Sequence, residues 1–271
     1  MPKPAVVDFD EVTWRKHWLA LWVTRPVHRP HLLAKVLFNC LEDHWIAQRA
    51  QVIALSNPDE WGWLRTRRAQ VLIPNGFTFP PALPAERRRQ PRILFLGSLC
   101  YHPNIDGLTW FCREVWPRIL AQAPGAWLDV AGRYDERVAG LANLPHVTLH
   151  GFVPDLAPVL ARSALSIAPL RIVTGTRIKI LEAWANGLPV VSTTAGAEGL
   201  DARHGQNLLL ADSAEDFAVA CVELLTNPDQ GRRLALEAFL QAKRTHDWGA
   251  IAPAVERAVQ AAAVTGEQRG S

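Results

Sequence analysis

From Arg92 to Ala211, short apolar runs alternate with stretches of helical period, and that alternation admits few folds. RILFLG (92–97) ends in glycine and precedes NIDGLTWFCREVWPRILAQA (104–123). In the latter, Leu108, Phe111, Val115, Ile119 and Leu120 fall on one helical face. AWLDVAG (126–132), HVTLHG (146–151), ALSIAPL (164–170), PVVST (189–193) and NLLLA (207–211) read as further strands, with a short helix near 155–163. Two or three helices are expected between Ser213 and Ala263. Apolar strands that cross over through helices build a parallel sheet covered on both faces, an α/β architecture. The strand count, about six, is that of a Rossmann-like unit.

The chain before Arg92 has a different texture. RPHLLAKVLFNCLEDHWIAQRA (29–50) predicts one long helix, and QVIALS (51–56) a strand. NPDEWGWLRT (57–66) predicts a short helix capped by Asn57 with Pro58 at its first position. AQVLIPNG (69–76) reads as a strand running into a turn. FTFPPALPAERRRQP (77–91) is proline-rich and unpatterned, as a linker is. The expected division is a partial N-terminal domain with its linker at 1–90 and a full domain at 91–271, the last helix packing back on the first part. Two or three strands are marginal alone. The first part is therefore expected to lean on the second, to be the tail of something larger, or to be completed by a partner chain. WRKHWLALW (14–22) is expected to pack on the body; an interfacial helix is the alternative, because basic and aromatic residues alternate with leucine.

Composition excludes several classes. The 271 residues are 49% hydrophobic, enough for a sizeable core. The 29 basic and 26 acidic side chains nearly balance, which gives no electrostatic footprint for nucleic acid. Cys40, Cys100, Cys112 and Cys221 form no C-x-x-C pair and no zinc spacing with histidine, so a reduced, cytoplasmic setting is expected. The opening MPKPAVVDFDEVTW lacks the apolar core of a secretory leader. No apolar run reaches the ~18 residues of a transmembrane helix. A peripheral position at the inner face of a membrane stays open.

The chemistry concentrates in TGTRIKILEAWANGLPVVSTTAG (174–196). Arg177 and Lys179 stand in the first turn of a helix, where they oppose its dipole, so helix stability does not account for them. A phosphate group would satisfy both cations and the free N–H groups of the helix start, including those of the Thr174, Gly175, Thr176 loop. Gly97 with Ser98, and Gly132 with Arg133, follow two other strands at the edge where open α/β sheets bind ligands. Glu182 is spaced i,i+3 from Lys179 and suits a ribose diol. Asn186-Gly187 predicts a left-handed helix end. His102 reads as a turn residue, and His44, His146 and His150 as structural.

These stretches, with NLPHVTLHGFVPDLAPVLARSALSIAPL, GQNLLLAD and THDWGAI, resemble the GT-B-fold glycosyltransferases of the retaining group called family 4 or group 1, over roughly 51–260. The resemblance implies two Rossmann-like domains facing across a cleft, the C-terminal one binding a nucleotide-sugar donor and the N-terminal one the acceptor, a lipid-linked sugar among the candidates. Surface polysaccharide assembly is the implied context. Arg177 and Lys179 are expected to take over the diphosphate role of the family's cations and so to be the catalytic cations on the leaving group. The resemblance groups Gly97, Ser98, Gly132, Arg133, Phe152, Thr174, Gly175, Thr176 and Glu182 as substrate-binding, with Glu198 and Gly199 as weaker candidates. The donor is the substrate, and no further cofactor and no metal are expected. The family's Glu-x7-Glu pair keeps its second member at Glu182, whereas Thr174 stands at the first. The family's Arg and Lys after the first donor-domain strand are replaced by Ser98, Tyr101, His102 and Asn104. The N-terminal part matches only the last portion of an acceptor domain. A non-catalytic nucleotide-sugar binder and half of a split enzyme are thus the alternatives, and the chain alone is expected to bind nucleotide but transfer little.

Overall fold

Two all-parallel sheets organise the chain in a computed structural model that describes residues 5–23, 29–84, 90–172 and 177–268. The first sheet contains β1 (Val6–Phe9), β2 (Val52–Leu55) and β3 (Ala69–Leu72) in that order. Between β1 and β2 lie α1 (Thr13–Val23) and α2 (Arg29–Arg49), which pack on each other. The second sheet contains β4 (Arg92–Leu96), β5 (Trp127–Ala131), β6 (Val147–Gly151), β7 (Leu165–Ala168), β8 (Val190–Ser192) and β9 (Leu209–Leu210). Its helices are α3 (His102–Trp110), α4 (Trp116–Gln122), α5 (Glu136–Ala139), α6 (Ala157–Arg162), α7 (Ile178–Ala185), α8 (Ala214–Thr226), α9 (Pro228–His246) and α10 (Trp248–Gln268). A π-helical stretch, Phe111–Val115, joins α3 to α4, so the helix expected over 104–123 is continuous.

The second sheet runs β6-β5-β4-β7-β8-β9, the doubly wound order with its switch between β4 and β7. Residues Ile93–Leu96 of β4 are buried on both faces, as a central parallel strand requires. One face packs Phe95, Phe111, Trp116 and Phe217; the other packs Leu94, Leu181, Trp184 and Phe239. Asp129, fully buried on β5, is matched by Arg92 at 3.1 Å and by His150 at 2.7 Å, with Arg162 beside them. A buried carboxylate without such partners would be strongly destabilising. His44 and His146 bond the carbonyls of Cys40 and Ala126, so all three histidines serve the fold.

Four local expectations are corrected. β1 is a strand that the sequence does not lead one to expect: it is only four residues long and partly buried, and Asp8 interrupts its apolar residues. The helix expected over 57–66 is a single 3-10 turn, Pro58–Glu60, although Asn57 does cap it by accepting from the Asp59 N–H. Tertiary packing wins there: Trp63 lies against Trp14 with centroids 4.9 Å apart, and Leu64 is buried. Residues 207–211 yield only the two-residue β9. The linker expected over 77–91 is anchored in its first half. Phe79 is buried between Phe77 and Phe239, and Lys243 Nζ bonds the carbonyls of Pro80 and Pro81. Residues 85–89 lie outside the described residues.

The two sheets are joined where α9 ends. The Phe77 N–H donates to the His246 carbonyl at 2.7 Å, and His246 Nδ1 meets the Asn75 carbonyl at 3.1 Å. α10 then returns to the first sheet, where Ala258 and Ala262 bury Val52.

Candidate functional site

The carboxyl ends of β4, β5 and β6 converge on three glycines. Gly97 donates to the Ala131 carbonyl at 3.0 Å, and Gly132 to the Gly151 carbonyl at 2.8 Å. Gly97 has φ 146° and Gly132 φ 150°, a region open to glycine and strained for other residues. A Cβ on Gly132 would strike the Gly97 carbonyl, and one on Gly97 would lie 3.0 Å from Lys179 Nζ. The loops are therefore packed as close as backbone allows, with α7 delivered to their edge.

Helix α7 follows β7, across the switch point from β4. Its end forms the expected left-handed cap: Gly187 has φ 67°, its N–H bonds the Trp184 carbonyl, and Leu188 N–H bonds the Ala183 carbonyl. Arg177 occupies the cap position at the start and Lys179 the first turn. Lys179 Nζ donates to Asn104 Oδ1 at 2.6 Å and lies 4.6 Å from the centre of the Phe95 ring. Asn104, nearly buried at the start of α3, donates in turn to the Ser98 carbonyl at 2.8 Å. Burial, reinforced by Arg177, pulls the Lys179 ammonium down to about 7.

Arg177 is 5% exposed. Burial pulls its guanidinium down to about 10, while Glu198, Tyr101 and Glu60 hold it up and Arg15 pushes it down. Glu198, Glu60 and Arg15 form one chain of charge across the gap between the sheets. Arg15, on α1, pairs with the fully buried Glu60 at 3.3 Å and with Glu198 beyond β8. Glu60 also accepts the Val12 N–H at 2.9 Å. Lys16 lies over the Tyr101 ring at 5.0 Å. Asp10 and Asn75, bonded at 2.6 Å beyond β1 and β3, are polar groups the first sheet adds at the same ends of its strands.

Glu182 is half-buried one turn after Lys179, and desolvation alone raises its carboxyl. Ser98 is exposed. Arg133 stacks over Phe152 at 5.2 Å, and Phe152 is 64% exposed, so these two form an outer wall. The structure thus brings Gly97, Ser98, Asn104, Arg177 and Lys179 together and sets Gly132, Arg133 and Phe152 beside them. Thr174, Gly175 and Thr176 lie outside the described residues. Arg15 and Glu60 escaped the reading of the sequence. Their signal was a charge in a tryptophan-rich helix and an acid beside a turn, neither of which points across the cleft. A cavity of about 680 Å³ opens at the opposite, amino-terminal edge of the second sheet, lined by Pro91, Ala164, Pro189 and Leu236. It lacks convergent charge, and ligands of such sheets bind at the other end.

Known proteins resemble this chain in sequence and fold. The family described as "Glycosyl transferases group 1" matches residues 90–227. An uncharacterized 44.6 kDa protein in the cps region of Klebsiella pneumoniae is 26% identical over 57% of this chain and 42% of its own. A phosphatidyl-myo-inositol mannosyltransferase of Mycobacterium leprae is 26% identical over 98% of this chain and 69% of its own. Anabaena Alr3699/HepE, solved with UDP and glucose, superposes with TM-score 0.71 at 16% identity, over 95% of this chain and 71% of its own. The chain spans less than half the length of the Klebsiella protein. With its paired parallel sheets and this match, the chain belongs to the group 1 glycosyltransferases and has their GT-B fold.

Proposed function

We propose that the chain binds a nucleoside-diphosphate sugar at the β4/β7 switch point and transfers the sugar to an acceptor hydroxyl. The observation that carries this is the placement of Lys179 Nζ against Asn104 and the Gly97 loop, with Arg177 at the same helix start. Two cations at one helix start, beside its N–H groups, suit phosphates. As the bond from the sugar carbon to the diphosphate oxygen breaks, its electron pair moves to that oxygen; the acceptor oxygen bonds the sugar carbon, and its proton passes to the leaving diphosphate. Donors already aimed at that charge lower the barrier by roughly 3 kcal/mol each. Glu182 takes the ribose diol. The donor is itself the activated reagent, so the proposal needs no separate cofactor.

The acceptor binds on the side of the first sheet, and a lipid-linked sugar in polysaccharide assembly is the class we favour. The cps-region relative and the mannosyltransferase named for a phosphoinositide support that class, and the UDP of the Anabaena complex supports a uridine donor. A lipid-linked acceptor puts the chain at a membrane surface. No helix among the described residues is long and apolar enough to cross one.

A second reading, binding without transfer, is favoured by Thr174, which stands where the resemblance has its first glutamate. Radiolabelled donor turnover with a mixed lipid-linked acceptor extract separates the two. Transfer predicts acceptor-dependent release of nucleotide diphosphate, on the order of 1 per second for an ordinary enzyme. Bound donor with no acceptor-dependent release would support the second reading.

A further inference from the structure

Helix α2 carries apolar side chains on two sides: Val36 and Ala47 are buried inward, and a second set faces out. On its inner side it buries Asp43, only 4% exposed, whose carboxylate accepts the Trp14 N–H at 3.3 Å. On its outer side Leu33, Leu37, Phe38, Leu41 and Trp45 are 47%, 69%, 66%, 74% and 57% exposed. At 3.6 residues per turn these five fall within an arc of about 140° and a length of about 18 Å. Isolated exposed leucines need no explanation, but a continuous stripe of large apolar side chains marks an interaction surface.

Cations rim the stripe. Arg29 and Lys35 are exposed near its start. At its end Arg49 lies over the Trp45 ring, 3.6 Å from the centroid. The turn carrying Arg65, Arg67 and Arg68 is tied to the same end, because the Arg68 guanidinium bonds the Gln48 carbonyl at 2.6 Å and the Arg65 N–H meets His44 Nε2. Glu42 is the exposed acid on the helix. A second copy docked face to face would press this cationic rim against itself. An anionic surface would complement it.

We propose that the outer face of α2 docks on an anionic lipid surface. The apolar stripe enters the boundary between headgroups and acyl chains, Trp45 lies at headgroup level, and the arginines meet lipid phosphates. The interfacial character suggested for α1 thus belongs to α2. α1 packs between α2 and the body, with Trp14 against Trp63 and Arg15 reaching Glu198, and so ties the docking face to the cleft. The inference deepens the reading of a lipid-linked acceptor and rests on it for its purpose, though not for its geometry.

The test is flotation of the full chain with vesicles of phosphatidylcholine mixed with phosphatidylglycerol, and with phosphatidylcholine alone. Binding is expected to the anionic vesicles only and to fall as salt rises. Leu37→Glu with Leu41→Glu should cut partitioning by about tenfold or more. Replacing Arg65, Arg67 and Arg68 by serine should remove most of the salt-dependent part. Calorimetric nucleotide-sugar binding by the same variants should be unchanged, which establishes their fold and separates failure of docking from failure of the donor site. If the glutamate variants do not fold, fluorescence quenching of the wild-type chain by lipids with brominated tails, reduced by Trp45→Phe, supports the proposal in their place. No flotation with anionic vesicles, undiminished flotation of the folded glutamate variants, no bromolipid quenching, or a solution dimer abolished by Leu37→Glu would overturn it.

Discussion

Asn104 decides what Lys179 can do. An amide oxygen holds the ammonium in place at 2.6 Å without cancelling its charge, so a bound phosphate meets the full cation. Burial first, and Arg177 second, bring the free Lys179 down to about 7. The protonated form is the one that binds phosphate, and bound phosphate raises its pKa. Affinity should therefore be complete below pH 7 and fall by up to about tenfold per unit as pH rises through 7. A nucleotide sugar is the probe, since its diphosphate diester has no group titrating there. Asn104→Asp keeps the shape but adds a carboxylate. It should weaken binding and move the midpoint upward, and a profile flat between pH 6 and 9 in the wild type would count against this role. Lys179 and Arg177 were legible because cations at a helix start contradict the dipole. Asn104 was visible only as a substitute in a loop, because its bond to Lys179 spans 75 residues of sequence.

At the scale of elements, the junction between the sheets hangs on Asp247. Its backbone is extended (φ −67°, ψ 140°) between α9 and α10. One carboxylate oxygen caps α10 through the Gly249 N–H at 3.0 Å, and the other accepts the Phe79 N–H at 3.2 Å. Asp247→Ala removes a cap and one anchor of the 77–84 segment together. It should cost about 1–2 kcal/mol, read as a lower midpoint in urea at unchanged slope. An unchanged midpoint would mean that the junction is held by its other contacts, the Phe77–His246 and His246–Asn75 bonds, the Lys243 bonds and Phe79 packing. The second sheet was legible because its strands are short, mostly apolar runs separated by helical periods, and glycine follows or ends three of them, β4, β5 and β6. The first was not: β1 is four residues long and interrupted by Asp8, and the 57–66 helix yielded to Trp63 and Leu64 packing inward.

Taken whole, the molecule places a complete donor-type sheet opposite a three-stranded sheet, with Arg15 and Glu198 paired across the gap. That pairing brings charge from the first sheet's side within reach of Arg177, whose guanidinium responds to Glu60 and Arg15 as well as to Glu198. The sequence showed the donor half of this arrangement, since its motifs are local. The crossing contacts join residues 183 positions apart and leave no local pattern. The central claim is that a nucleotide diphosphate sits on the Arg177 and Lys179 end of α7. Its most direct test is calorimetric titration of the wild-type chain, Arg177→Ala and Lys179→Ala with UDP, GDP and ADP below pH 7. The account predicts that one nucleotide binds the wild type and that each substitution weakens it by roughly 1.5–3 kcal/mol, as loss of a charge-assisted hydrogen bond does. Equal affinity in all three proteins, or no binding of any nucleotide by the folded wild type, would contradict it.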